Sequence, residues 1–337
     1  MQFERSRATV GSWYASAALV IASAYFAHRY VSLTPSFMNL TAYAHGQERL
    51  PFQSRVLMQY PLLLAEHSAF FQRLTAHQVA IRTPELLMLE MVSFLALLLA
   101  GWSAIKIYRL ASPAARMPYL PFAILIVLCF FNFVVGTPFS FPYDLPSMAF
   151  LGWGTYFVLR RRFAWLLPLF IVATFNRETT LFLILISALV AMTEDGRLKI
   201  SAVKRSDVMQ ISVLSVVWAG ISWYLHHLYA HNPTGLGPRV VANLHTLTHP
   251  IEWLQILSAS AYLIPYVFLM RGEIRYATLR SCALILPLWV IFLLTFGNIT
   301  EIRIYGDISV FVAVAAALII ATKMGGQQEN VGELAAQ

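Results

Sequence analysis

The sequence predicts an all-α, polytopic transmembrane helical bundle of about ten membrane segments. Three observations lead there. Apolar residues make up 58% of the chain and charged residues only 12%. Several apolar stretches approach or exceed the roughly 20 residues that a helix needs to cross a bilayer. Most Lys and Arg residues fall in short loops between those stretches, as membrane orientation requires. The net charge of +8 is therefore explained by topology, and no nucleic-acid partner is expected. Cys129 and Cys282 both lie in apolar stretches, so neither a disulfide nor cysteine chemistry is expected.

The first span is expected over about Ser12 to His28, with the N-terminus inside. Ala22-Ser23-Ala24 resembles a signal-peptidase site, but the apolar run continues past it and reads as an uncleaved span. An external segment, 29–84, follows. Its apolar part, Phe52 to Phe71, is interrupted by Arg55, Gln59, Pro61, Glu66 and His67 and reads as amphipathic helices at the outer interface. Further spans are expected over about Leu86 to Tyr108, Tyr119 to Val135 and Leu145 to Leu159. The run from Phe163 to Met192 is split by Asn176-Arg177-Glu178-Thr179-Thr180 and flanked by basic clusters, Arg160-Arg161-Arg162 and Arg197 to Arg205. A single crossing would place one cluster outside, so a helical hairpin is expected. Spans over Val208 to Leu225, Ile251 to Met270, Ser281 to Phe296 and Ile308 to Thr322 complete a single integral membrane domain, 1–323. The small, polar tail 324–337 reads as disordered and cytoplasmic. Both termini are then inside, and the expected location is a bacterial inner, or plasma, membrane. This arrangement places His28, His45, His67, His77, His226, His227, His231, His245 and His249 on the outer side, with Asp144, Arg177, Glu178, Arg239, Glu301 and Asp307.

Ionisable groups at membrane depth are functional candidates. Arg177 and Glu178 are neighbours on a turn, point apart, and must each find another partner. One reading makes them a structural ion-pair network. The other makes Arg177 a clamp for a phosphate, which a guanidinium binds through paired donors. Asp144, in Pro142-Tyr143-Asp144-Leu145-Pro146-Ser147, suits a helix N-cap at an external mouth, a role compatible with facing a cavity. The last external loop offers Glu301, Arg303, Tyr305 and Asp307. The paired histidines His227/His231 and His245/His249 lack an accompanying acid, and no metal site or cofactor is expected. Gly235-Leu236-Gly237-Pro238-Arg239 lacks the lysine and spacing of a phosphate-binding loop and reads as a flexible loop.

The order of these motifs resembles the polytopic GT-C-type glycosyltransferases and their bacterial relatives. A first span leads to a long external segment, then Pro-Phe-Gln-Ser-Arg-Val-Leu around Arg55. A Tyr-Asp-Leu-Pro-Ser helix mouth and Asn-Arg-Glu-Thr follow. The likeness covers roughly the first 190 residues. It implies transfer of a sugar from a polyprenyl-phosphate donor to a glycan, lipid or protein acceptor on the external face, with membrane lipids as the surroundings. By position, it implies Glu48 as the base, with Asp144 close behind, and Arg55, Arg177 and Arg303 on the leaving phosphate. Asn176, Glu178 and Tyr143 support them. The family's first loop carries its catalytic acid, often as an Asp/Glu pair; here that loop has no aspartate, only Glu48 and Glu66. A transporter or flippase for a lipid-linked or anionic solute is the alternative, using the same arginines for binding. A membrane assembly subunit with merely structural charges is a third.

Overall fold

The computed structural model describes residues 2–335 except 35, 77–82, 114, 116, 137–138 and 235–238, with side chains described from 13 to 324. His77 and the glycine-rich loop at 235–238 lie outside this description; the tail, expected to be disordered from 324, instead continues the last helix to Ala335.

The chain is built almost wholly of helices. It opens with α1 (Gln2–Leu33), a short α2 (Leu40–Ala44), and the pair α3 (Gln59–His67) and α4 (Ala69–Ala76). Neither of that pair is long enough to cross a bilayer, and Tyr60, Leu64, Phe70 and Leu74 are exposed along them, matching the expected broken amphipathic segment. Next come α5 (Pro84–Ala111), α6 (Leu120–Phe130) and α7 (Asp144–Leu159). Thr83 caps α5 by accepting from the Leu86 N–H, with Pro84 at the first position.

The split run forms α8 (Phe163–Asn176) and α9 (Leu181–Met192), joined by an extended Arg177 and a 3₁₀ turn at Glu178–Thr180. The first turn of α8 and the last turn of α9 line one cleft, so the chain doubles back as the expected hairpin, its two arms packing mainly on α7 and the helix that follows the ribbon. A two-strand ribbon follows, β1 (Thr193–Glu194) and β2 (Arg197–Leu198). The remaining helices are α10 (Arg205–Leu228), α11 (Val240–Leu247), α12 (Pro250–Ser258), α13 (Leu263–Leu269), α14 (Ala277–Cys282), α15 (Ile285–Phe296) and α16 (Ser309–Ala335).

Each of the ten expected segments falls on a helix or a broken pair. The number of helices able to cross a bilayer alone is smaller. Among the described residues four helical stretches are long and apolar enough to cross alone: Pro84–Ala111, Arg205–Leu228, Ala277–Phe296 and Ile302–Met324. A fifth is added if α12 and α13, bent by 80°, count as one. For α1, with 32 residues, the reason is composition; for the shorter helices it is length. The 14 residues of α8 reach only about 21 Å at 1.5 Å per residue, against a hydrocarbon core of about 30 Å.

Burial orders these helices. The span beginning at Ile302 is 89% buried inside the protein and α10 only 11%, so the first is central and the second peripheral. Every residue from Ser309 to Ile319 is buried, and the alanines at 313 and 315–317 let α5, α6, α7 and α13 close around α16. Lipid is as apolar as leucine, so close packing rather than water exclusion holds such a centre together. Gly152 of α7 is a point of close approach: a Cβ there would run into Ser103 Oγ of α5 and meet Val310 of α16 at 3.1 Å.

The two ends of the bundle carry different residues. At one end Tyr30, Ser140, Arg55, Asp144, Glu178, Asp307 and the Asn232 loop meet. At the other, Ser16 bonds Tyr119, Arg161 bonds Asp207, and the β1–β2 ribbon packs on α14.

Candidate functional site

Three short polar stretches, far apart in sequence, converge where α7 begins. Asp144 is the first residue of α7, with Pro146 in its first turn. Tyr143, rather than Asp144, occupies the cap position, and the Asp144 side chain turns to arginines instead of its own helix. That differs from the expected N-cap, because two guanidinium donors outcompete neutral N–H groups for a carboxylate.

Arg177 Nη1 reaches Asp144 Oδ1 at 3.2 Å and Asp307 Oδ1 at 2.9 Å. Asp307 also accepts from Thr179 Oγ1 at 2.9 Å. Arg303 Nη1 contacts both oxygens of Asp144, at 2.9 and 3.1 Å, and Arg303 Nη2 lies 2.6 Å from Glu301. Arg55 engages Glu178 as a fork, Nη2 at 2.6 Å and Nε at 3.2 Å. Arg177 and Glu178 thus take different partners, as their opposed directions on the turn demand.

Three arginines therefore face four carboxylates, a formal excess of one negative charge. Aromatic rings lie among them. The Tyr143 ring centre is 4.5 Å from the Arg55 guanidinium carbon and 5.6 Å from that of Arg177, while Arg303 stacks over Phe141 at 3.6 Å. Asn176 Nδ2 donates to the Tyr143 carbonyl at 3.0 Å, tying the hairpin tip to the mouth of α7. Trp218 Nε1 donates to the Glu178 carbonyl at 2.9 Å, and the Tyr43 hydroxyl donates to the Arg55 carbonyl. Burial works against the Arg55 charge, but the Glu178 carboxylate outweighs it and holds the guanidinium well above its ordinary pKa.

The carboxylates differ in access. The Asp144 and Asp307 side chains are sealed, at 0% and 1% exposure, whereas Glu178 and Glu301 are open at 36% and 30%. The Tyr143 hydroxyl, Asn176 Oδ1 and Arg177 Nε are buried without a hydrogen-bond partner among the described residues. Buried polar atoms of this kind call for a water or ligand group.

Of the sequence candidates, Arg55, Arg177, Arg303, Asp144, Tyr143, Asn176 and Glu178 all meet here. Glu48 does not. Its carboxylate accepts from the Asn39 and Arg49 N–H groups at 2.9 and 3.0 Å, and its carbonyl accepts from Asn232 at 2.7 Å. It ties loops together, and none of these bonds reaches the arginines. Asp144, the second candidate base, has both oxygens taken by guanidinium donors and no exposed edge. Sequence reasoning missed Thr179 and Trp218, and named Asp307 without its partner. Thr179 lies inside the polar interruption and was therefore within reach; Trp218, in a continuous apolar helix, carries no such signal. Among the described residues, no group of three His, Cys, Asp or Glu side chains could hold a metal ion. No protein-family model, curated protein or solved structure matched the chain.

Proposed function

We propose that this protein is a membrane glycosyltransferase that moves a sugar from a polyprenyl-phosphate donor to an acceptor at the Arg177 end, which is the external face. The supporting observation is the convergence of Arg55, Arg177 and Arg303, from three separate segments, around Tyr143. Such a cluster can take up the singly charged phosphodiester of the donor by exchanging it for a carboxylate counter-ion, and can then hold the second charge that develops on the leaving phosphate. Glu178 is the counter-ion placed to yield, because it is partly exposed and holds only Arg55. The acceptor hydroxyl attacks the anomeric carbon, the bond to the phosphate oxygen breaks, and polyprenyl phosphate leaves with both electrons of that bond. The acceptor proton passes to the freed Glu178 carboxylate. The arginines stabilise charge on the departing phosphate.

This reading moves the base from Glu48 and Asp144 to Glu178 and keeps the three arginines in the roles the sequence suggested. It carries the fuller topology with it: ten membrane segments, the short ones bent or re-entrant, both termini cytoplasmic, in a bacterial inner membrane. Incubation of the purified protein with a panel of polyprenyl-phosphate sugars and candidate acceptors tests it. Release of polyprenyl phosphate that depends on Arg303 is expected. Donors left intact by protein that remains folded would refute the transferase reading.

One observation favours a second reading. Every arginine of the cluster is already neutralised, which suits a structural network that pins the hairpin to α7 and to the segment before α16.

A further inference from the structure

At the opposite end of the bundle, the first turn of α8, the last turn of α9 and the first turns of α10 line a shallow, half-open cleft. Arg161 and Arg162 line its rim, and Phe157, Phe163, Leu166 and Val190 are among its walls. Arg161 gives Nη1 to Asp207 at 2.8 Å, and Asp207 is further engaged by the Lys204 N–H at 3.2 Å. Arg162 makes no ion pair among the described residues. The N-terminus of α8 also opens here without a side-chain cap, adding N–H groups that lack intrahelical partners. The lining thus holds two arginines against one carboxylate, and Arg160, Lys204 and Arg205 adjoin it in sequence. Trp165, 62% exposed and stacked on Phe157, stands beside the cleft in the manner of an interfacial aromatic.

We infer that this cleft binds the phosphate-bearing headgroup of an anionic membrane lipid, with the acyl chains lying along its phenylalanine wall. A cation rim over an apolar wall, between helices at the basic end, has the two chemistries such a lipid presents. Positive charge for orientation alone would need neither the cleft nor its apolar wall. The site is independent of the transferase reading, since it lies at the other end and shares no residue with the arginine cluster.

Native mass spectrometry of the intact protein, titrated with phosphatidylglycerol or phosphatidylcholine, tests this. Retention of phosphatidylglycerol should exceed that of phosphatidylcholine by about tenfold, given the attraction expected from two arginines near a headgroup. The double variant Arg161→Gln/Arg162→Gln should lose the preference. Ser187→Phe, which fills the cleft from α9 without changing charge, should lower retention of phosphatidylglycerol several-fold and decides the matter if the double variant fails to fold. Arg197→Gln/Arg275→Gln, which removes two exposed charges from the same end, should keep the preference. Equal loss in that control pair, or no preference in the unaltered protein, would overturn the site. Glycerol phosphate competing as well as the lipid would make it a soluble-anion site and overturn the lipid assignment.

Discussion

Arg177 meets Asp144 and Asp307 through a single atom, Nη1, while its Nε stays buried without a partner. That asymmetry separates the two roles the residue can have. A lysine offers one nitrogen, enough to serve the carboxylates but not a second ligand. Arg177→Lys is therefore expected to keep the melting temperature near that of the unaltered protein while donor affinity falls about tenfold or more, the scale of one lost charged hydrogen bond. Arg177→Ala strands Asp307 and should destabilise by about 3–5 kcal/mol. Melting temperature and donor affinity measured on the same preparations distinguish these; unchanged affinity in the lysine variant would leave Arg177 a structural ion only. The proposed base can be probed in parallel. Glu178→Gln should reduce turnover by about 10²-fold or more, whereas Glu48→Gln should lose at most a loop tie and retain turnover. The reverse ranking would return the base to Glu48.

Among the elements, the hairpin and the α5–α7–α16 contact carry the architecture. The hairpin tip is held by Asn176 to Tyr143, Thr174 to Thr180, and Trp218 to the Glu178 carbonyl. Gly152 is where α7 approaches α5 and α16 too closely for a side chain. Gly152→Val should destabilise by about 1–3 kcal/mol or more, as overpacking of a close-packed interior does. At Gly220 of α10, by contrast, an added Cβ would meet nothing within 4 Å. Gly220→Ala should thus be neutral or stabilising by about 0.5–1 kcal/mol, from helix propensity alone. Thermal melts of the two variants in one detergent make the comparison; equal effects would mean that α7 is not the packed element.

A second break lies between α12 and α13, where Ser260, Ala261 and Tyr262 all take positive φ. Such backbone is strained for side chains with a Cβ. Asn132, in a π-turn after α6, supports it by accepting from the Ser260 N–H at 2.8 Å and donating to Ser260 and Ser309. Ser260 is fully buried, and a helix break is tolerated in a membrane protein when neighbours satisfy its backbone in this way.

For the whole molecule, the two ends make a topology prediction. Cys129 and Cys282 are buried and should not react with a polar thiol reagent. Single cysteines at Arg161 and Arg205 should label from one side of the membrane, and those at Glu48 and His231 from the other, the latter pair in intact cells. Arg161 and Asp207 are in contact, as are the loops of Glu48 and Asn232, so each pair must label together. Labelling of position 205 but not 231 in intact cells would invert the proposed orientation.

The sequence by itself determined the helical class and the positions of the longer apolar helices, but not α11, which lies in a stretch that reads as loop. Apolar length and loop charge are local properties, and they were enough to place the hairpin turn at Arg177 and the broken segment before α5. Tertiary structure alone decided which charges meet. Arg177 lies beside Glu178 in the chain yet pairs with Asp144 and Asp307, 33 and 130 residues away. Glu48, picked by its position in the first loop, is spent on backbone N–H groups nearby. Pairing depends on where helix ends arrive after packing, and the small alanines of α16 and the close approach at Gly152 set that arrival. Coulomb attraction between buried groups then selects partners by distance in space, a quantity that no spacing along the chain encodes.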